Sequence, residues 1–402
     1  MVVVRGVHVV GPLEPYAEGL ACELARLGFT ELSAGGQLRL AAHLSRWLAG
    51  QRLGTAALTG PVAGRFLAAR RAAGYTGYLS PKALRPVLDY LRSLGVAPEP
   101  ERPRPVTAAE ELLEAYREYL LGERGVQVDV ARGYLYLVRP FVERHAAGGI
   151  AGLRGLTAGD VTVFLTAQSR RLVPKSAQRL ATALRSLLRF WHLQGLTRGG
   201  LDQSVPKVAN RRPGLPRPLE PGQVQALLDS CDRATAAGLR DLAMLTLMAR
   251  MGLRAGEVAA LCLEDIGWRA GEITIRGKGN RRDLLPLPPD AGEATAAWLR
   301  HGRPATALDR AVFTRIKAPH QGLTSGGVTQ AVAAAAGRAG LGVIHAHRLR
   351  HSAATAMLAQ GGSLAEIGQV LRHRRPMTTA IYAKVDTAAL RALARPWPGA
   401  SS

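Results

Sequence analysis

The sequence predicts a mainly α-helical protein with one small β-hairpin, laid out as three units along the chain. Three observations predict it. Long runs carry apolar residues at helical spacing, one short stretch alternates like paired strands, and two Pro/Arg-rich runs interrupt the pattern. The 402 residues, 47% of them hydrophobic, suffice for several separate cores. The interrupting runs are PEPERPRP at 98–105 and ANRRPGLPRPLEP at 209–221. Proline locks φ and lacks a donor, so such runs make extended connections. The expected units are 1–97, 106–205 and 219–395, with a linker over 206–218.

The first unit reads as helices over 14–27, 36–48 and 81–94. In the last, Ser80 is placed to cap and Pro81 to occupy the first helical position. No chemistry is legible here, and the unit is expected to be a helical accessory domain.

The second unit is clearest over Ser176–Gln194. Leu180, Leu184, Leu187, Leu188 and Trp191 fall on one helical face, with Arg185, Arg189 and His192 opposite. Between 170 and 217 there are eleven basic residues and one acid, Asp202. An ordinary solvated face would intersperse acids, so the stretch reads as a phosphate-tracking surface. Lys175, Arg179, Arg185, Arg189, Arg211 and Arg212 are its candidate DNA-binding residues.

Charge supports that reading. The formal net charge is +23, and a protein this basic is expected to meet a polyanion, nucleic acid first. Cys22, Cys231 and Cys262 are scattered, which fits neither a disulfide framework nor a zinc spacing and suits a reducing cytoplasm. The opening MVVVRGVHVV lacks a signal-peptide layout, and no apolar run is long enough to suggest a membrane span.

The third unit holds short strands over 272–276 and 283–288 around the turn GKGNRR. Gly252 is placed to end a helix in the left-handed conformation, with Arg254 at the start of the next and Glu257 three residues on, able to brace it. Lys278 sits at the hairpin tip. In HAHRLRH, a helix would put His347, Arg350 and His351 on one face. Three histidines invite a metal reading, yet no carboxylate or cysteine lies nearby to complete such a site, and a guanidinium beside two imidazoles suits a phosphate better. Ser363 and Glu366 form a capping box. Thr378 or Thr379 is placed to open the helical turn that holds Tyr382, nine residues beyond His373. Taken singly, each of these is also what a solvated or packing residue looks like.

In order, they are more specific. The stretches MGLRAGEVAAL, RGKGNRRDLLPLP, HAHRLRHSAAT and LRHRRPMTTAIY resemble the tyrosine recombinase (phage integrase) family, strongly over 240–385 and in general character over 106–205. The resemblance implies a helical core-binding domain and an α+β catalytic domain. It makes Tyr382 the nucleophile, Arg254 and Arg350 the grip on the scissile phosphate, and Lys278 the general acid for the leaving 5′ oxygen. His347 would act in proton transfer, His373 would hydrogen-bond the phosphate, and Glu257 and His351 would support them. Arg348 stands where the family often has an acid, and Arg372 where it often has glycine.

That chemistry asks for no cofactor and no metal. Its partner is double-stranded DNA at specific recombination sites; the protein is expected to be a tetramer on paired sites and a monomer or dimer when free of DNA, in the cytoplasm at the nucleoid. About a hundred extra N-terminal residues incline the expectation towards a mobile-element integrase or transposase. A chromosome-dimer resolution recombinase, a type IB topoisomerase, a metal-dependent nuclease or a DNA-binding protein without catalysis are the alternatives. The segment 387–394 reads as a short helix for docking onto a neighbour or onto its own domain.

Overall fold

The computed structural model describes residues 2–4, 6–100, 105–206, 208, 218–277, 281–373 and 376–383. Lys278, Arg211, Arg212, most of the 206–218 linker and the segment 387–394 lie outside the described residues. There are two compact units, Met1–Glu101 with Leu215–Ser402, and Arg102–Gly214.

In Arg102–Gly214 the main helices are Ala108–Glu118, Val128–His145, Ala158–Ser169 and Pro174–Leu193. Thr107 with Glu110 and Thr157 with Asp160 form capping boxes at two of their starts. The last helix opens at Pro174, two residues before the expected Ser176, because proline suits a first turn whose N–H has no partner anyway. Its predicted apolar face (Leu180, Leu184, Leu187, Leu188, Trp191) is buried against Phe141, Val138 and Tyr116.

In the other unit, residues before 101 form their own core from helices Ala17–Arg26, Glu31–Gly50, Gly60–Ala72 and Pro81–Ser93. Ser80 caps the last of these, accepting from the Ala83 N–H. The helix expected at 36–48 is longer because Thr30 caps it at Glu31. The opening residues form a hairpin, Val2–Val4 against Val7–Val9, which the helical reading of this region did not include. Alternating β-branched valines and a left-handed Gly6 explain it: Val7 and Val9 point inward while His8 points out.

The remainder of this unit is built on helix Ala236–Met251, packed with Ser325–Arg338 and Ala346–Ala359. A three-stranded antiparallel sheet runs Ile266–Gly267, Glu272–Arg276, Arg282–Pro286, with Ile273 opposite both Ile266 and Leu285. Ile273 and Ile275 face the core, and Trp298 locks the sheet side by donating from its indole to the Val312 carbonyl. Helix Leu364–Val370 carries the expected Ser363/Glu366 capping box. The final helix, Pro376–Ala383, opens at its proline rather than at Thr378 or Thr379. Tyr382 packs with Ala354, Ile367 and Leu371 in a small separate cluster.

Trp191 is wholly buried, and its indole N–H has no partner among the described residues. Trp191→Ala is expected to cost about 3–5 kcal/mol in urea denaturation of the intact protein. Trp191→Phe should cost much less, because it also removes an unsatisfied donor. Equal losses for the two variants would contradict this packing.

Candidate active site

The site begins at a turn. Helix Ala236–Met251 ends on Gly252 at φ +61°, a left-handed conformation, and a Cβ there would stand 2.5 Å from the Leu371 side chain. Glycine is therefore required for both backbone and space. The turn delivers Arg254 to the N-cap of helix Ala255–Ala259. Glu257, three residues on, accepts from the Arg254 N–H at 2.8 Å and from its guanidinium at 2.5 Å. This is the bracing the sequence predicts.

Glu257 does more than that. Its buried carboxylate also accepts from Arg372 Nη2 at 2.7 Å, and Arg350 Nη1 lies 4.0 Å away. Burial pushes the carboxyl upward, but Arg372, the Arg254 N–H and the Arg254 guanidinium outweigh it and hold it below the usual carboxylate range. Three arginines from three separate stretches thus meet on one anion.

Arg350 is 1% exposed on helix Ala346–Ala359. It donates to the Gly252 carbonyl at 2.6 Å and to the Leu371 carbonyl, so it ties the Arg254 turn to the segment leading to His373. Burial, then repulsion from Arg254, pulls it down to about 10, still charged at neutral pH. Arg254, by contrast, keeps 43% of its side chain exposed. The cluster therefore has a buried brace and an accessible face.

The tyrosine is tied in from the other side. Tyr382 is 2% exposed, and its phenolic oxygen lies 3.0 Å from His351 Nδ1. His347, one turn earlier on an exposed part of the helix, packs edge-on to His351 at 4.6 Å. His373 lies parallel to the Tyr382 ring at 6.4 Å, and its Nδ1 is 2.7 Å from Thr379 Oγ1. Burial raises the phenol above its ordinary range, and Arg350 and Arg254 only partly offset this. The histidines are held neutral: His351 is lowered to about 4 by burial, His347 and Arg350, and His373 to about 4 by burial, then Arg350 and Arg254.

Arg254, Glu257, His347, Arg350, His351, His373 and Tyr382 are thus brought into one continuous cluster. Lys278 lies outside the described residues. Two features were not anticipated. The direct partner of the phenol is His351, although the four-residue step from His347 already placed both on one helical face. Arg372 joins Glu257 from 115 positions away, a pairing no local spacing indicates. Arg372 also adopts φ +55°, the left-handed region that favours glycine and costs a side-chain residue about 1–3 kcal/mol. Arg348 points elsewhere, donating to the Pro218 carbonyl.

Among the second-unit basic residues, Lys175 and Arg179 are exposed. Arg185 donates to the Val205 and Pro206 carbonyls, and Arg189 pairs with Asp202 at 3.0 Å while staying 60% exposed. Arg211 and Arg212 lie outside the described residues.

A mainly helical scaffold with a small antiparallel sheet, carrying arginines, histidines and a late tyrosine in one cluster, defines the class of the tyrosine recombinases. The profile of the Phage integrase family matches residues 217–389. An integrase/recombinase of Sinorhizobium fredii, y4rA, is 40% identical over 97% of this chain and 95% of its own length. The tyrosine recombinase XerD of Listeria monocytogenes is 31% identical over 70% of this chain and 96% of its own. This chain belongs to the phage integrase family of tyrosine recombinases. The fold agrees with solved structures. A lambda integrase fragment bound to a core site aligns at TM-score 0.55 and 15% identity, over 72% of this chain and 98% of that one. The XerH site-specific recombinase on a difH substrate aligns at TM-score 0.55 and 19% identity, over 82% of this chain and 93% of that one. Among the described residues, no helix is long and apolar enough to cross a membrane.

The two neutral histidines set a pH dependence. An unfolded histidine titrates near about 6.5, above the folded values of about 4. The unfolded chain therefore binds more protons in between, and stability should fall as pH drops through that window. Denaturation midpoints measured from pH 7 to 4 should show the fall, and the double variant His351→Gln/His373→Gln should show less of it. An unchanged slope would contradict the assignment.

Proposed function

We propose that this protein cuts and rejoins DNA strands at specific sites through a covalent 3′-phosphotyrosine at Tyr382. The observation that carries the reading is a buried phenol held 3.0 Å from a neutral imidazole, in the same cluster as Arg350 and Arg254.

A phosphodiester repels nucleophiles, and attack places further charge on its non-bridging oxygens. Arg254 and Arg350 are the groups to meet that charge, since guanidiniums stay protonated and present forked donors. The phenol must lose its proton as its oxygen bonds phosphorus. In the tautomer protonated at Nε2, His351 accepts the phenolic hydrogen at Nδ1 and aims the oxygen, while His347 extends the path towards solvent. His373, fixed by Thr379, supplies a neutral donor to the phosphate. As the P–O5′ bond breaks, the 5′ oxygen takes a proton, the role assigned to Lys278. The phosphotyrosine keeps the bond energy, so attack by a 5′ hydroxyl on phosphorus expels the phenol and reseals the strand. No step calls for a metal or a cofactor.

The unit 106–205 is the core-binding domain, 219–395 the catalytic domain, and 1–97 an accessory domain. Lys175 and Arg179, exposed on helix Pro174–Leu193, are assigned to follow a DNA backbone. Double-stranded DNA is the partner, engaged by four protomers on paired sites. A lambda integrase solved as a tetramer on a Holliday junction aligns with this chain at TM-score 0.53 and 15% identity, over 74% of this chain and 85% of that one. With double-stranded DNA as its substrate, we assign the protein to the cytoplasm at the nucleoid. Alignment over 97% of this chain, at 40% identity, with a relative named as an integrase/recombinase favours integration, excision or transposition of a mobile element over dimer resolution. The XerD relative, by comparison, matches only 70% of the chain.

The test is a library of nicked suicide duplexes with a randomised centre. Wild-type protein should form an SDS-resistant adduct with a subset, and digestion should place the nucleotide on the Tyr382 peptide. Tyr382→Phe should form none, and Arg254→Ala should be slower by about 10²–10³-fold. DNA retained without any wild-type adduct would instead support binding without catalysis.

A further inference from the structure

We infer that Arg372 is a positioning residue for the strand cleavage proposed above, on which this inference rests: its buried guanidinium clamps Glu257, so that Arg254 and Arg350 stand as one rigid cationic cluster. Two independent observations carry it. The first is conformational. Arg372 occupies φ +55°, where glycine is at ease and an arginine is strained. The second is what the side chain does there. It is 5% exposed, donates from Nη2 to Glu257 at 2.7 Å and from Nη1 to the Val370 carbonyl at 2.8 Å, and its Nε has no partner among the described residues. A long cationic side chain is thus kept at a strained position, buried, and aimed at the carboxylate that braces Arg254.

The geometry shows how it would act through its neighbours. The Arg372 N–H donates to the Gln369 carbonyl and the His373 N–H to Gly368, so the left-handed turn closes helix Leu364–Val370 and sets the direction of His373. Arg350 grips the Leu371 carbonyl next door. Glu257 joins this segment to the Arg254 turn. Without Arg372, Glu257 keeps Arg254 but loses its tie to the His373 segment, and the cluster loses a positive charge beside the position assigned to the phosphate. Arg372 also adds to the repulsion that keeps His373 neutral.

A purely structural ion pair makes a different prediction. Glycine fits the turn without strain, so a structural role would leave Arg372→Gly with normal chemistry once folded. The experiment compares Arg372→Gly, Arg372→Gln and Arg372→Lys on a duplex captured by wild-type protein, with folding of each checked by circular dichroism. Single-turnover adduct formation at saturating protein should fall at least about tenfold in the Gly and Gln variants, less than loss of a direct donor to the reacting group. DNA affinity should stay near wild type. Arg372→Lys, which keeps a cation for Glu257, should recover most of the rate. The acid limb of the pH–rate profile should move towards neutral in Arg372→Gln and not in Arg372→Lys, as His373 becomes easier to protonate. Wild-type rates in Arg372→Gly, or no recovery in a folded Arg372→Lys, would overturn the inference. Failure of wild-type protein to capture any duplex would instead overturn the cleavage reading beneath it.

Discussion

A single buried carboxylate holds this site together. Glu257 faces three guanidiniums, one from its own turn, one from helix Ala346–Ala359 and one from the segment before His373. Three like charges would not assemble in a protein interior unaided, since burial penalises each and each repels the others. The carboxylate makes the arrangement possible, and it leaves the cluster with a positive excess. An anion of the charge and shape of a phosphodiester is the natural complement of that excess.

The rest of the active-site architecture follows from the need to bring distant chain segments to this anion. Gly252 makes the turn that presents Arg254 and exposes its own carbonyl to Arg350. Arg350, buried and bonded to two backbone carbonyls, staples the turn to Leu371. Leu371 in turn packs against Ala354, Ile367 and Tyr382, so the phenol is seated by the same segment that carries His373. Buried polar groups with fixed partners make such a site rigid before any substrate arrives, which is what preorganised charge stabilisation requires. The free form also keeps its phenol protonated, because burial outweighs the nearby arginines and His351 occupies its hydrogen bond.

Signals confined to a few residues could be read directly. Gly252 as a left-handed stop, Ser80 and Ser363 as caps, Glu257 bracing Arg254 and the apolar face of Pro174–Leu193 all depend on neighbours within one or two turns. The order of motifs points to the family, which the match over residues 217–389 and the 40% identical relative show. What could not be read depends on pairing across the chain. Nothing local indicates that Arg372 reaches Glu257, or that the phenol of Tyr382 meets His351 rather than His347. The N-terminal hairpin is hidden for a related reason, because a short valine-rich stretch shows its strand pairing only once the core it packs on is known. Arg185 and Arg189 looked like free phosphate ligands from their helical face, yet each has an intrachain partner in the segment after the helix.

The most direct measurement of the central idea is adduct formation by Glu257→Gln. The substitution keeps shape and most hydrogen bonds but removes the charge that collects the three arginines. If one carboxylate organises the site, the folded variant should still bind DNA, while single-turnover formation of the Tyr382 adduct should fall by at least about tenfold, in the manner of a broken buried ion pair. Adduct formation at the wild-type rate in a folded Glu257→Gln protein would contradict it.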